Sequence, residues 1–346
     1  QELEINEAYG TNLPFTTIVK PLDKKEGFAV CFNGTKWELV EDNRDKTVYV
    51  KDTKEELKVD YLGKIKDEHT LLVPEQFDKW DYSLNKWNED ITEEISYHIG
   101  RAYATKLLSF GKNKMIVGYD NRLSSPIIEE NLVKGLTEGG VNVVRLGLVT
   151  TPMYYYAWDK LNIHAGIMIT ASHNPKEYNG FKMSYNGIHN MFGKDVSDLY
   201  YVIINGIYSE GNGTIEYADI KEDYVKMIHN HIDMGNNKLK VVYDCGNGTT
   251  SIVAHDIFKS NEYIEYIPLF DESDGTFPNH HPDPAVEENL KQLKEKVLEV
   301  KADCGIAFDG DGDRVGVVDN QGNMIPIDKF MIIIWRDIYN KVAKKE

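Results

Sequence analysis

The spacing of apolar positions changes near residue 88 and divides the chain into two textures. Before that point, aromatic and β-branched residues stand in short runs broken by turn residues. Phe28-Ala29-Val30-Cys31-Phe32 and Lys36-Trp37-Glu38-Leu39-Val40 flank Asn33-Gly34, which predicts a tight hairpin because Asn-Gly favours a type I′ turn. Lys46–Val50 predicts a further strand, and Lys79–Tyr82 with Leu84–Trp87 a last small hairpin. This stretch carries no catalytic constellation.

From Ile91 onward, helical and strand periods alternate. Thr92–Tyr103 is amphipathic at helical spacing, with Asp90 placed to cap it. A strand over Lys114–Gly118, a helix over Ser125–Glu138 stopped by Gly139-Gly140, a strand over Val141–Leu146, a helix near Met153–Leu161 and a strand over Gly166–Thr170 follow. Beyond the loop Ser209–Gly213 come a helix over Asp223–Ile232, a strand over Leu239–Asp244 and a helix over Val286–Val300. Strands then enter and leave the segment 309–314, and a helix over Asp328–Val342 closes the pattern. Such alternation implies sheets with helices on both faces. No internal sequence repeat is visible.

Two turns in this region carry chemistry. Asp309-Gly310-Asp311-Gly312-Asp313-Arg314 places carboxylates at alternate positions after the apolar run Cys304–Phe308. Three hard oxygen ligands on one turn, with glycines that let the backbone bend around an ion, suit Mg²⁺ or Ca²⁺. An EF-hand is excluded, because its positions six and twelve hold Arg314 and Asn320 instead of Gly and Glu. The second turn, Thr170-Ala171-Ser172-His173-Asn174-Pro175, presents a serine hydroxyl after Gly166-Ile167-Met168-Ile169. His280 and His281 lack a third zinc ligand and, with prolines on either side, read as loop structure.

The net charge of −17 argues against nucleic acid and against an anionic membrane surface as partners. Cys31, Cys245 and Cys304 are far apart and odd in number, which suits reduced thiols in the cytoplasm. No apolar run is long enough to span a membrane. The amino end has neither a start methionine nor a signal peptide and reads as an internal fragment or a trimmed end.

The two turns, in this order and with Gly118–Ser125, Asn179-Gly180-Phe181-Lys182, Asp244–Thr249 and Asp274–Pro284, resemble the α-D-phosphohexomutases, the phosphomannomutase/phosphoglucomutase family. The resemblance runs from about Glu89 to Val342 and covers that family's first two domains. It implies an α/β protein: two consecutive αβα sandwich domains of phosphohexomutase type, preceded by a small β-rich module. The divisions expected are 1–87 for the module, 88–208 for the phosphoserine-loop domain and 209–346 for the metal-loop domain.

It further implies an isomerase that moves a phosphoryl group within hexose phosphates by way of a hexose 1,6-bisphosphate. Ser172 would carry the phosphoryl group, and Asp309, Asp311 and Asp313 with Ser172 would hold Mg²⁺. A serine hydroxyl needs an acid/base partner, and Lys182 matches the family's lysine for that role. His173 neighbours Ser172, and Arg314 and Arg122 match arginines of the family's site. For Arg122 a salt bridge between domain faces stands as the alternative. Asp244 and its Gly-Asn-Gly turn read as structural.

The chain departs from the family in lacking its opening Arg-bearing strand, its sugar-recognition domain and its distal phosphate-binding domain. Turnover is therefore expected to be crippled, and glucose is not separable from mannose. Residues 1–87 resemble a segment of phage tail-fibre assembly proteins, through Phe32-Asn33-Gly34-Thr35-Lys36-Trp37 and the closing Asp78-Lys79-Trp80. The alternative to an enzyme is thus a non-enzymatic, phage-tail-like structural or interaction protein carrying a mutase fragment.

Overall fold

The computed structural model describes residues 20–74, 79–82, 86–88, 91–187, 189–232, 238–259 and 262–342. Contacts divide the chain into two units, Gln1–Glu89 and Asp90–Glu346.

The first unit is built of short antiparallel pairs. β1 (Phe28–Phe32) pairs with β2 (Trp37–Glu41), and β3 (Thr47–Val50) lies between β4 (Glu56–Lys58) and β5 (His69–Thr70). β6 (Lys79–Asp81) pairs with β7 (Lys86–Asn88). Of the last hairpin's expected residues, Leu84 and Asn85 lie outside the described residues. Among the described residues of this unit, Val48, Val59 and Trp80 are the buried apolar side chains.

The first hairpin does not turn on Asn33-Gly34. The Asn33 amide donates to the Lys36 carbonyl at 3.0 Å, so the central pair is Gly34-Thr35, with Gly34 at φ +101°. Asn33 acts instead through its side chain. Its Oδ1 accepts from the Thr35 and Lys36 amides, both at 3.0 Å, and so closes the turn from within.

The second unit opens with α1 (Glu93–Ser109). Its N-cap is Thr92, whose hydroxyl accepts from the Ile95 amide at 3.2 Å. The expected cap, Asp90, lies outside the described residues. Then follow β8 (Lys114–Tyr119), α2 (Ser125–Glu138), β9 (Asn142–Leu148), α3 (Thr151–Leu161), β10 (Gly166–Ile169), β11 (Phe181–Ser184), α4 (Lys194–Ile204) and β12 (Ile215–Tyr217). These strands form one sheet in the order β11-β10-β8-β9-β12, parallel except at β11. The first layer thus runs past the division expected at residue 209. The physical reason is β12, which is fixed beside β9 by the Asn142 carboxamide accepting from the Thr214 amide and hydroxyl.

Strand side chains alternate between two cores, as burial on both faces requires. Met115, Val117, Ile167 and Ile169 pack under α1, α2 and α4. Ile116, Val144 and Met168 pack with Met153, Tyr154, Ala157 and Trp158 of α3.

The second sheet follows α5 (Lys221–His231) and contains β13 (Leu239–Asp244), β14 (Ile264–Leu269), β15 (Cys304–Phe308), β16 (Val315–Asp319) and β17 (Met324–Ile325). Its order is β14-β13-β15-β16-β17, with β13 parallel to both neighbours. α6 (Ala254–Lys259) and α7 (Lys291–Val300) lie on opposite faces, packing on Tyr243 and Val242 respectively. The helix expected over 286–300 is thus a 3₁₀ turn, Glu287–Leu290, followed by α7. α8 (Ile327–Val342) comes last.

Each sheet has a point where successive connections leave in opposite directions, β8 against β10 and β13 against β15. Loops at the carboxyl ends of such strands are where α/β sheets bind ligands.

α1 and α2 cross without side chains between them. A β-carbon at Gly100 would strike the Leu132 carbonyl, and one at Gly135 the Tyr97 carbonyl. Gly135→Ala should therefore force the helices apart and cost about 1–3 kcal/mol. The check is the urea midpoint followed by far-UV circular dichroism; an unchanged midpoint would contradict this packing.

Candidate active site

The loop after β10 is held by a guanidinium. Arg122 is 1% exposed and lies in the turn after β8. Its Nε donates to Asp120 Oδ2 at 3.0 Å. One terminal nitrogen donates to the carbonyls of Pro175 and Tyr178, at 2.5 and 3.0 Å. The other donates to those of Ser172 and Asn174, at 2.8 and 2.7 Å. All five donors are taken up. Arg122 is therefore neither a substrate-facing arginine nor a salt bridge between domain faces, because no N–H is left to point into the site. It shapes the serine loop from behind. Its partner Asp120 is buried, and burial raises that carboxyl above its ordinary range even though Ser125 and Arg122 bond to it.

Within the loop, Ser172 has φ +52°, in the left-handed region. Non-glycine residues hold that conformation only where surroundings impose it. Here the Thr170 hydroxyl accepts from the Ser172 amide at 2.8 Å, while Arg122 grips the Ser172 carbonyl. The result aims Ser172 Oγ at Asp309 Oδ2, 2.9 Å away.

The acidic loop between β15 and β16 folds on its own first carboxylate. Asp309 Oδ1 accepts from the Asp313 and Arg314 amides, both at 3.0 Å. Asp309 and Asp311 are fully buried, whereas Asp313 is exposed. One carboxylate oxygen from each of the three lies within 4.8 Å of the others. Burial, then the charges of Asp311 and Asp313, push Asp309 up to about 7. Burial also acts on Asp311, but Lys182 outweighs it and holds that carboxyl below its usual range.

Lys182, on β11, reaches Asp311 Oδ2 at 2.6 Å and Asp313 Oδ2 at 2.7 Å. Burial disfavours its charge, but those carboxylates raise it above the usual lysine value. Asp311 Oδ1 is buried with no hydrogen-bond partner. An unpartnered buried carboxylate oxygen beside two further carboxylates and a serine hydroxyl is a donor set that fits a hard divalent cation such as Mg²⁺.

Thr151 completes the loop and was missed in the sequence. It is the first residue of α3, two positions before the expected start near Met153, and Thr150 is the cap. Its amide donates to the Asp311 carbonyl at 2.9 Å, and its hydroxyl to Asp311 Oδ2 at 2.6 Å. The positive end of the helix thereby faces the carboxylate. The Thr150-Thr151-Pro152 run is a helix-start signal that could have located it.

The remaining expected residues stand at the rim. His173 follows Ser172, and its Nδ1 is buried without a partner. Arg314 is loosely paired, with Nε 3.9 Å from both Asp309 Oδ2 and Asp313 Oδ1, and its side chain is 46% exposed. A guanidinium held this loosely can reach an anionic ligand.

Residues 83–198 match the family model described as "Phosphoglucomutase/phosphomannomutase, alpha/beta/alpha domain I", and residues 222–322 match the corresponding domain II. The phosphomannomutase/phosphoglucomutase of Pseudomonas putida is 43% identical over 248 residues, covering 72% of this chain and 53% of that protein. That of Pseudomonas aeruginosa is 41% identical over 253 residues, covering 73% and 54%. A solved phosphoglucomutase/phosphomannomutase family protein from Burkholderia thailandensis superposes with a TM-score of 0.70 at 35% identity, over 73% of this chain and 57% of that one. The chain spans about half the length of the curated relatives it matches.

Replacing Arg122 by alanine would leave Asp120 buried without its countercharge, and the carbonyls of Ser172, Asn174 and Tyr178 without their donor. Arg122→Ala should cost about 3–5 kcal/mol. Arg122→Lys should lose less, since an ammonium keeps the charge but not the five-donor fork. Urea unfolding of the three proteins measures this order.

Proposed function

The chain belongs to the phosphoglucomutase/phosphomannomutase family, and from that premise we propose that it transfers a phosphoryl group between Ser172 and a hexose phosphate. The observation that carries this reading is Ser172 Oγ at 2.9 Å from Asp309, over three clustered carboxylates of which one buried oxygen has no partner.

In the proposed reaction the bond from phosphorus to Ser172 Oγ breaks, and one to a hexose hydroxyl oxygen forms. The hydroxyl proton passes to a base, Ser172 Oγ leaves and takes up a proton to become a hydroxyl again, and the product is a hexose 1,6-bisphosphate. The other phosphate then returns to Ser172 Oγ, so that the net change is an isomerisation between hexose 1-phosphate and 6-phosphate. The relatives' names favour mannose and glucose as the hexoses.

Phosphoryl transfer depends on in-line placement and charge neutralisation more than on covalent steps by the protein. The rigid left-handed Ser172 supplies the placement. Asp309, Asp311, Asp313 and Ser172 would hold Mg²⁺, which when bound neutralises phosphoryl charge. Arg314 stands where a second positive charge can meet phosphate oxygens. Lys182 holds a proton on Nζ while it bonds Asp311 and Asp313, so in this geometry it is a donor. It becomes a base only when those carboxylates engage elsewhere. His173 lies beside Ser172 and is assigned to placing it.

The alternative, a phage-tail-like structural protein, draws support from none of the matches above. Among the described residues, no helix is long and apolar enough to cross a membrane.

Incubation with glucose 1,6-bisphosphate and Mg²⁺ should add one phosphate to the protein, and peptide mapping should place it on Ser172. Ser172→Ala should take up none. Asp311→Asn should be labelled roughly 10²–10³-fold more slowly, the usual loss when an electrostatic stabiliser is removed. Labelling at another residue would reject the assignment.

A further inference from the structure

His280 presents both ring nitrogens to oxygens, a main-chain carbonyl and an ionised carboxylate, that accept and do not donate. Nδ1 lies 2.9 Å from the His281 carbonyl oxygen. Nε2 lies 3.2 and 3.1 Å from the two oxygens of Asp244. Each nitrogen must therefore donate, and an imidazole that donates from both is a cation. The Asp244 side chain is fully buried and that of His280 nearly so, and a buried carboxylate requires such a countercharge.

The pair stands directly behind the acidic loop. Asp244 Oδ1 also accepts from the Gly246 amide at 2.8 Å, starting the turn 245–249. The turn closes with the Gly248 amide on the Cys245 carbonyl at 2.7 Å. It then reaches the acidic loop, where the Thr249 amide donates to the Gly310 carbonyl at 2.8 Å. Gly310 lies between Asp309 and Asp311. From the opposite side Pro282, two residues after His280, abuts both Gly246 and Gly310.

We infer that His280 is a positioning residue for the acidic loop: its imidazolium, clamped between Asp244 and the His281 carbonyl, seats the 245–249 turn on Gly310 and so keeps Asp309 and Asp311 in register for a cation. The cation in this statement rests on the function proposed above; the clamp does not.

Among the described residues, Asp244 is the charged group bonded to the ring. The Phe270 ring meets it in a T-shaped contact, and Gly246 lies against its Cε1 edge, both uncharged. Burial opposes the imidazolium, but Asp244 outweighs it, and His280 titrates above its ordinary 6.5. The sign follows. The clamp is complete below about 6.5 and is lost as pH rises through the raised midpoint, where one nitrogen becomes an acceptor facing an acceptor.

Two measurements on the full chain test this. Nitrogen-15 spectra of the metal-free wild type should show both His280 nitrogens protonated at pH 6.5. Their midpoint should lie above 6.5, and the Thr249 amide should follow the same midpoint. In His280→Gln that amide should no longer titrate there. A His280 midpoint at or below 6.5, or a Thr249 amide indifferent to it, overturns the inference.

The second measurement is Mn²⁺ affinity by water-proton relaxation, for wild type and His280→Gln across the same pH range. Below the midpoint the variant should bind about tenfold more weakly, in the range typical of lost support behind metal ligands. Above it the two should converge. Taking the ratio cancels any titration of the acidic loop common to both proteins. A ratio independent of pH would show a merely structural residue and overturn the inference. If the wild type binds no Mn²⁺, the proposed function fails, and the spectra alone decide the clamp.

Discussion

Two fully buried carboxylates of like charge, Asp309 and Asp311, stand one glycine apart, and much of the second unit is arranged to make that tolerable. Buried charge is costly unless it is paired and bonded. Asp309 receives two backbone amides of its own loop and the Ser172 hydroxyl. Asp311 receives the start of α3 through Thr151 and the ammonium of Lys182. These donors come from both αβ layers, so the two sheets must meet at this loop. The one oxygen left without a donor, Asp311 Oδ1, is where the arrangement still asks for positive charge.

Backbone closeness is what lets so many donors converge. A β-carbon at Gly310 would stand 2.5 Å from the Ser172 carbonyl oxygen. Gly312 adopts φ +78°, and a β-carbon there would stand 2.5 Å from the Thr250 hydroxyl oxygen. The glycines between the aspartates therefore serve two ends. They let the loop turn, and they let it touch the serine loop on one side and Thr250, just past the 245–249 turn, on the other. The serine loop, the 245–249 turn and the acidic loop leave the carboxyl ends of β10, β13 and β15, at the two points where the sheets reverse their winding.

Behind the serine loop and behind the acidic loop stands a buried carboxylate with a basic partner. Arg122–Asp120 lies behind Ser172, and His280–Asp244 lies behind the acidic loop. In both, the cation gives its remaining donors to main-chain carbonyls, so that the pair organises backbone and does not face solvent. The proposed phosphoryl transfer would need rigid support of this kind, since its geometry leaves little tolerance.

The elements of the αβ layers were legible in the sequence because period and turn chemistry are local. The α2 span, the strand Leu239–Asp244 and the three alternating aspartates all stand where the sequence placed them. The fold also brings Ser172 to the acidic loop, with its Oγ 2.9 Å from Asp309 Oδ2. The tertiary structure decided what depends on partners distant in sequence. Arg122 became a support because its four carbonyl acceptors lie 50 to 56 residues away. Thr151 entered the site through Asp311, 160 residues on. His280 met its carboxylate partner in Asp244, 36 residues earlier. β12 joined the first sheet against the expected boundary. A side chain's type limits which bonds it can make, but only the fold determines which acceptors surround it, and the role follows from those.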